Sequence, residues 1–184
     1  MLRLNIAGAA ALMLSTVIAY AQPIVFVPQG SANTVRMVNA ETGETVKQIT
    51  GLEAVHGLSG APGVPYLIAG SYSETDRTEI AELTQPEGVS EDEHAAHHSA
   101  AKDGPIGPSD SGISILSVLN ATSGEIIRRI EVPGAVHHTA VSPDGRFAVA
   151  THPSGDGISV IDLTTFKLVA YVPTGSMPNY AAFG

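Results

Sequence analysis

The chain has 184 residues, 43% of them hydrophobic, with 18 acidic side chains against 9 basic ones and no cysteine. This length suits one domain with a packed core. The net charge of −9 leaves no basic patch to neutralise phosphates and argues against nucleic acid as a partner. The missing cysteines exclude disulfides, thiolate metal sites and c-type haem attachment.

In chain order, residues 1–21 read as a secretory signal peptide. Arg3 precedes an apolar run from Leu4 to Ile18, and Ala19-Tyr20-Ala21 forms a small-residue cleavage motif before Gln22. The expected product is periplasmic or secreted, with no stable membrane span after cleavage. Residues 22–184 then read as short strands: Ile24–Val27, Thr34–Val38 and Val46–Ile49, two sets of four, and a last one over Pro178–Phe183. β-branched and aromatic residues dominate these runs, as strands prefer. "HHTAVS" and "RFAVATH" flank Pro143-Asp144-Gly145, a turn whose glycine tolerates positive φ, and Asp144 is read as a turn residue. "ISVIDL" and "LVAYV" flank a turn at Thr165. Asn120-Ala121-Thr122 is a formal glycosylation sequon, but it lies between two strands and is read as a turn.

Residues 73–112 interrupt this pattern as an acidic, histidine-containing insertion. They hold ten acidic and two basic residues, a net −8, and show no strand alternation; "TEIAEL" suits one helical turn. Such a composition predicts a mobile insertion.

The strands repeat. Residues 38–70 laid over residues 119–151 without a gap give ten identities in 33 positions, among them Asn39/Asn120, Gly43/Gly124, Val55/Val136 and His56/His137. A third copy places Gly175 over Gly134, a shift of 41. Four strands in about 40 residues predict the blades of an all-β propeller.

On Ser142-Pro143-Asp144-Gly145, Val160-Ile161-Asp162, Thr164-Thr165 and Gly175 followed by Pro178, the chain resembles the YVTN-type β-propeller repeat family. The resemblance implies four-stranded antiparallel blades. It implies little about function, because such propellers host many roles. About three blades are present, fewer than a closed ring needs, so the chain is expected to be a piece of a longer propeller or to close by association into a homo-oligomer.

The seven histidines carry the functional expectation. Residues summing to about 290 across the Asp144-Gly145 turn are expected to face one another, which pairs His138 with His152 on one rim. His56 matches His137 in the repeat and joins that rim. The insertion contributes Glu91, His94, His97 and His98. His56, His137, His138 and His152 are therefore candidate metal ligands, with His94, His97 and His98 as a second, weaker cluster; copper or zinc is the candidate cofactor. Adjacent strand residues point to opposite sides, so one of His137 and His138 is expected to face the channel. The plainer reading is that His56 and His137 hydrogen-bond a neighbouring blade's backbone.

No G-x-S-x-G elbow, H-E-x-x-H motif or phosphate loop occurs. The expectation is thus an exported, non-catalytic propeller that binds a protein partner or small molecule at a histidine-bearing rim. The alternative is a fragment or subunit of a periplasmic oxidoreductase of haem d1, quinone or copper type. "HHTAVSPDGRF" is similar to haem d1-type propeller domains and to the paired-histidine strand of the nitrous oxide reductase propeller. The chain lacks that enzyme's full set of cluster histidines and its cupredoxin domain.

Overall fold

The computed structural model describes residues 22–76, 107–108 and 111–184. Residues 1–21, the "TEIAEL" stretch, Glu91, His94, His97 and His98 lie outside the described residues. The described chain is all-β apart from one short 3₁₀ turn, Gly30–Ala32. No helix among the described residues is long and apolar enough to cross a membrane.

Eleven strands form three antiparallel sheets. The first sheet orders β1 (Ile24–Gln29), β2 (Thr34–Asn39) and β3 (Thr45–Ile49). The second orders β4 (Val55–Gly60), β5 (Tyr66–Ser71), β6 (Ile113–Asn120) and β7 (Ile126–Pro133). The third orders β8 (Thr139–Val141), β9 (Phe147–His152), β10 (Gly157–Asp162) and β11 (Lys167–Pro173). Each strand pairs with its chain neighbour, which is the meander of a propeller blade, and the three blades make an incomplete propeller.

Burial follows from the stacking of these sheets. One core lies between the first and second sheets, built on Val35, Met37, Ile49, Val55, Ala69 and Leu119. A larger one lies between the second and third, built on Ile68, Leu116, Val118, Val136, Ala148 and Ile161. Strand alternation sends Ile68 to one core and its neighbour Ala69 to the other. The middle strands of the second sheet, β5 and β6, are therefore covered on both faces, while β7 keeps Arg128, Arg129 and Glu131 exposed.

The last two strands of every sheet slip by one residue against each other. The slips fall at Met37/Val38, Val118/Leu119 and Val160/Ile161. The turn that follows is built by a side-chain carbonyl or carboxylate. Asn39 Oδ1 accepts from the Glu41 and Thr42 N–H groups, Asn120 Oδ1 from those of Thr122 and Ser123, and Asp162 Oδ1 from that of Thr164. Asn120 thus has the turn role expected of it. Asp144 does as well: its Oδ1 accepts from the Ser142 hydroxyl at 2.5 Å and the Arg146 N–H at 3.0 Å.

A second device links successive sheets. The Asn33 Oδ1, in the turn after β1, accepts from the Ala54 N–H at 2.8 Å, where the chain crosses into the second sheet. Asp156 Oδ1, in the turn after β9, accepts from the Met177 N–H at 3.1 Å, beyond the third sheet. After β5 there is no tight turn, and Glu74 takes the role: its Oε2 accepts from the Ala135 N–H at 3.3 Å. Its Oε1 accepts from the Gly112 N–H at 2.6 Å, and Thr75 and Ile113 exchange two backbone hydrogen bonds of 2.8 Å. Asn33 also holds a left-handed backbone, φ 55°. Asn33→Ala should therefore lose one hydrogen bond and add strain, costing about 1–2 kcal/mol in urea denaturation. Asn33→Gly should recover the strain part only.

Two expectations are corrected. Pro178–Phe183 is not a strand, because among the described residues it has no second strand beside it to complete a ladder. The β8–β9 pairing also runs one residue from the expected register. Thr139 faces Ala150, and the Thr151 N–H bonds the His138 carbonyl, so His138 opposes Thr151 and not His152. The cause is the turn, which closes with the Ser142 N–H on the Phe147 carbonyl and centres between Asp144 and Gly145. A one-residue slip exchanges the faces of a strand.

Candidate functional site

The slip sends His152 into the interior. It is fully buried, and both ring nitrogens are engaged. Nδ1 lies 3.2 Å from the Gly134 carbonyl and 3.3 Å from that of Ala135, and Nε2 lies 2.7 Å from the Ser159 hydroxyl. Carbonyls only accept, so Nδ1 carries the proton and Nε2 accepts from Ser159. Burial lowers the His152 pKa against the opposing pull of these carbonyls and of Glu74. The structure does not bring His152 to the other histidines.

His56, His137 and His138 do come together. Each sits where an inner strand begins, at a bulge. In the β4–β5 ladder Val55 pairs with Ser71 and Gly57 with Gly70, which leaves His56 as the extra residue. In the third sheet the His137 N–H and the His138 carbonyl both bond Thr151, so two residues oppose one. A bulge re-aims side chains that strict alternation would separate. Both His137 and His138 therefore reach the cluster, where one alone was expected to face the channel. The two inner strands also approach closely. A Cβ at Gly57 would stand 3.1 Å from the backbone of His138, so glycine suits that position.

The rings meet edge to face. His56 and His137 have centroids 4.7 Å apart, and Tyr72 stands 5.0 Å from His56 and 6.2 Å from His137. Tyr180 continues the row, 5.9 Å from His137 and 4.8 Å from His138. The His137 Nδ1–H donates to the Asn179 carbonyl at 3.1 Å, which leaves its Nε2 lone pair free to accept or to ligate. The expected bond from His137 to a backbone carbonyl is thus present, and its partner is the segment after the third sheet. His138 Nδ1 is buried without a hydrogen-bond partner. Burial first, and then the neighbouring His137, lower the pKa of His56; the same two causes, with His56 added, lower that of His138. Desolvation and mutual repulsion thus favour neutral imidazoles with available lone pairs.

A cleft of about 630 Å³ opens beside this row, lined by Pro28, Gly30, Ser31, Ala54, Val55, His56, Tyr72 and His137. Its walls are apolar and aromatic with a few convergent polar groups, the usual composition of a small-molecule site. Among the described residues no three histidine, aspartate or glutamate side chains are placed to hold a metal ion between them. Tyr72, Tyr180 and the Asn179 carbonyl are site elements that the sequence reading missed. The available signal for the last two was the third copy of the repeat, which lays Asn179 over His138 and puts Tyr180 one residue beyond it.

No family model matches this sequence, and no curated protein matches it. Among solved structures, the chain is similar to hydrazine synthase of Kuenenia stuttgartiensis, with a TM-score of 0.58 and 15% sequence identity. The match covers 91% of this chain and 41% of that one, so this chain spans less than half of its neighbour's length. At that identity the likeness is one of fold.

Proposed function

We propose that the protein is an exported, YVTN-like propeller that binds a small, planar ligand in the cleft beside His56, Tyr72 and His137. The observation that carries this reading is the convergence of three bulge-borne histidines and two tyrosines on one rim, next to a cleft of about 630 Å³. Edge-to-face rings favour a flat π-face, and the His56 ring and the His137 Nε2 lone pair can accept hydrogen bonds from N–H or O–H groups at the ligand's edge. A transition metal would rest on the pair His56 and His137, a two-ligand and hence weak site. Export is supported by the n-region, apolar run and cleavage motif of residues 1–21.

The test is a ligand-observed NMR screen of flat heteroaromatic fragments, run beside calorimetric titration with Cu²⁺ and Zn²⁺. His137→Ala and His56→Ala should each weaken fragment binding tenfold or more, equivalent to about 1.4 kcal/mol. Fragments that bind both variants as well as the parent protein would refute the site. A tight metal complex lost in the same variants would make the metal its first occupant.

A further inference from the structure

The first sheet has three strands where the others have four, and the strand it lacks is the innermost one. Its inner edge, β1, pairs with no strand on that side among the described residues, and Val25 and Val27, on the sheet face turned away from the second sheet, are 48% and 39% exposed. Such an edge is a template for a further strand. Past the third sheet, the segment after Gly175 follows the path that leads into an inner strand in the other sheets, but it pairs with no strand among the described residues. Asp156 holds its lead-in at the Met177 N–H, as Asn33 holds Ala54 before β4 and Glu74 holds Ala135 before β8. Gly175 repeats the left-handed turn of Gly51 and Gly134. The Asn179 carbonyl takes hydrogen bonds from His137 Nδ1 and the Thr151 hydroxyl, both at 3.1 Å, so the segment lies against the inner end of the third sheet. Tyr180 is nevertheless 75% exposed, and Phe183 37%.

We infer that Pro178–Phe183 is the inner strand of the first sheet of a second copy of this chain. Two copies, each lending this segment to its partner's β1, close a ring of six four-stranded sheets. The exchange is reciprocal, so one two-fold axis pairs the inner edge of the first sheet in both copies. The segment gains backbone partners by strand addition. It also brings a second Asn179–Tyr180 pair beside His56, where Pro28 of β1 and Gly30 of the 3₁₀ turn line the cleft. The partner copy thereby completes the rim around the ligand cleft.

Light scattering on the purified protein tests this. The expected mass is twice that of one chain. Ala182→Pro removes a backbone N–H from the exchanged segment and should give a folded particle of half that mass. A chain lacking residues 178–184 should likewise be monomeric with an unchanged far-UV spectrum, and should bind a synthetic peptide of residues 175–184 that the parent protein does not bind. A monomeric parent protein would overturn the inference. So would an oligomer that survives the deletion, since its interface must lie elsewhere. Fragment binding by the full-length protein is measured separately, so a failure of the exchange is told apart from a failure of the cleft.

Discussion

His152→Ala should destabilise the protein by about 3 kcal/mol, the largest effect expected of any single side chain discussed above. The side chain is fully buried, so its loss leaves a cavity in the third sheet. Its loss also strands the Gly134 and Ala135 carbonyls and the Ser159 hydroxyl, all of which it satisfies now. Urea denaturation at neutral pH measures the change. His152→Gln offers a donor and an acceptor of smaller reach and should recover part of it. The same residue makes stability pH-dependent. Its folded pKa is lowered by burial, so the unfolded chain binds the proton more readily. The contribution is therefore complete above about pH 6.5, the ordinary histidine value, and is lost as pH falls from there through the folded pKa. His56 and His138 act in the same direction. The urea midpoint of the parent protein should drop between pH 7.5 and 5.5, and drop less in His152→Gln. Equal slopes in the two proteins would show that His152 is not the titrating group.

Gly70→Ala should cost about 1–3 kcal/mol by overpacking. Gly70 lies on β5, facing the third sheet. A Cβ there would stand 2.8 Å from the Cβ of Val136, nearer still to its Cγ1, and 3.4 Å from Thr139 Cγ2. Val136 is fully buried between the second and third sheets and cannot swing into solvent. The added methyl must push the sheets apart. Val136→Ala alone removes buried methyls and is also destabilising. In the double variant the two changes share one space, so its cost should fall well below the sum of the single costs. A double-mutant cycle in urea measures that coupling, and additive costs would mean the sheets do not meet at Gly70.

Much of the architecture was legible because it rests on local rules. Residues 157–162 alternate in burial with the period of a strand, although the buried set includes Gly157 and Ser159 and leaves Ile158 and Val160 half-buried, and Ser142, Asp144 and Gly145 make the turn their types demand. The open first sheet was legible by counting strands. The site was legible only in part. His56 and His137 were found through the repeat, but the bulges that gather them with His138 depend on register, which a centre of symmetry half a residue away is enough to change. That same half residue took His152 from the rim to the core. The inter-sheet links were not legible at all. They join residues 21 or 61 positions apart and use Asn33, Glu74 and Asp156 for one purpose, so no single residue type marks them. Tyr180 was hidden for a related reason: its segment was read as a strand, and strand residues are assigned to faces, not to a neighbouring histidine.

The clamp at the end of β5 has a consequence for how this chain can change. Glu74 and Thr75 tie one stem of the insertion to Gly112 and Ile113 on the other, outside the sheet proper. Whatever joins these stems can therefore be exchanged without altering the register of β5 on β6. Lengthening it is inexpensive too, about 0.6 kcal/mol for each doubling of a flexible loop. The second sheet thus acts as a socket. Lineages can try out new loops there, and a protein engineer can graft a binding segment between Asp76 and Gly112, a few residues along the chain from Tyr72 and the histidine rim.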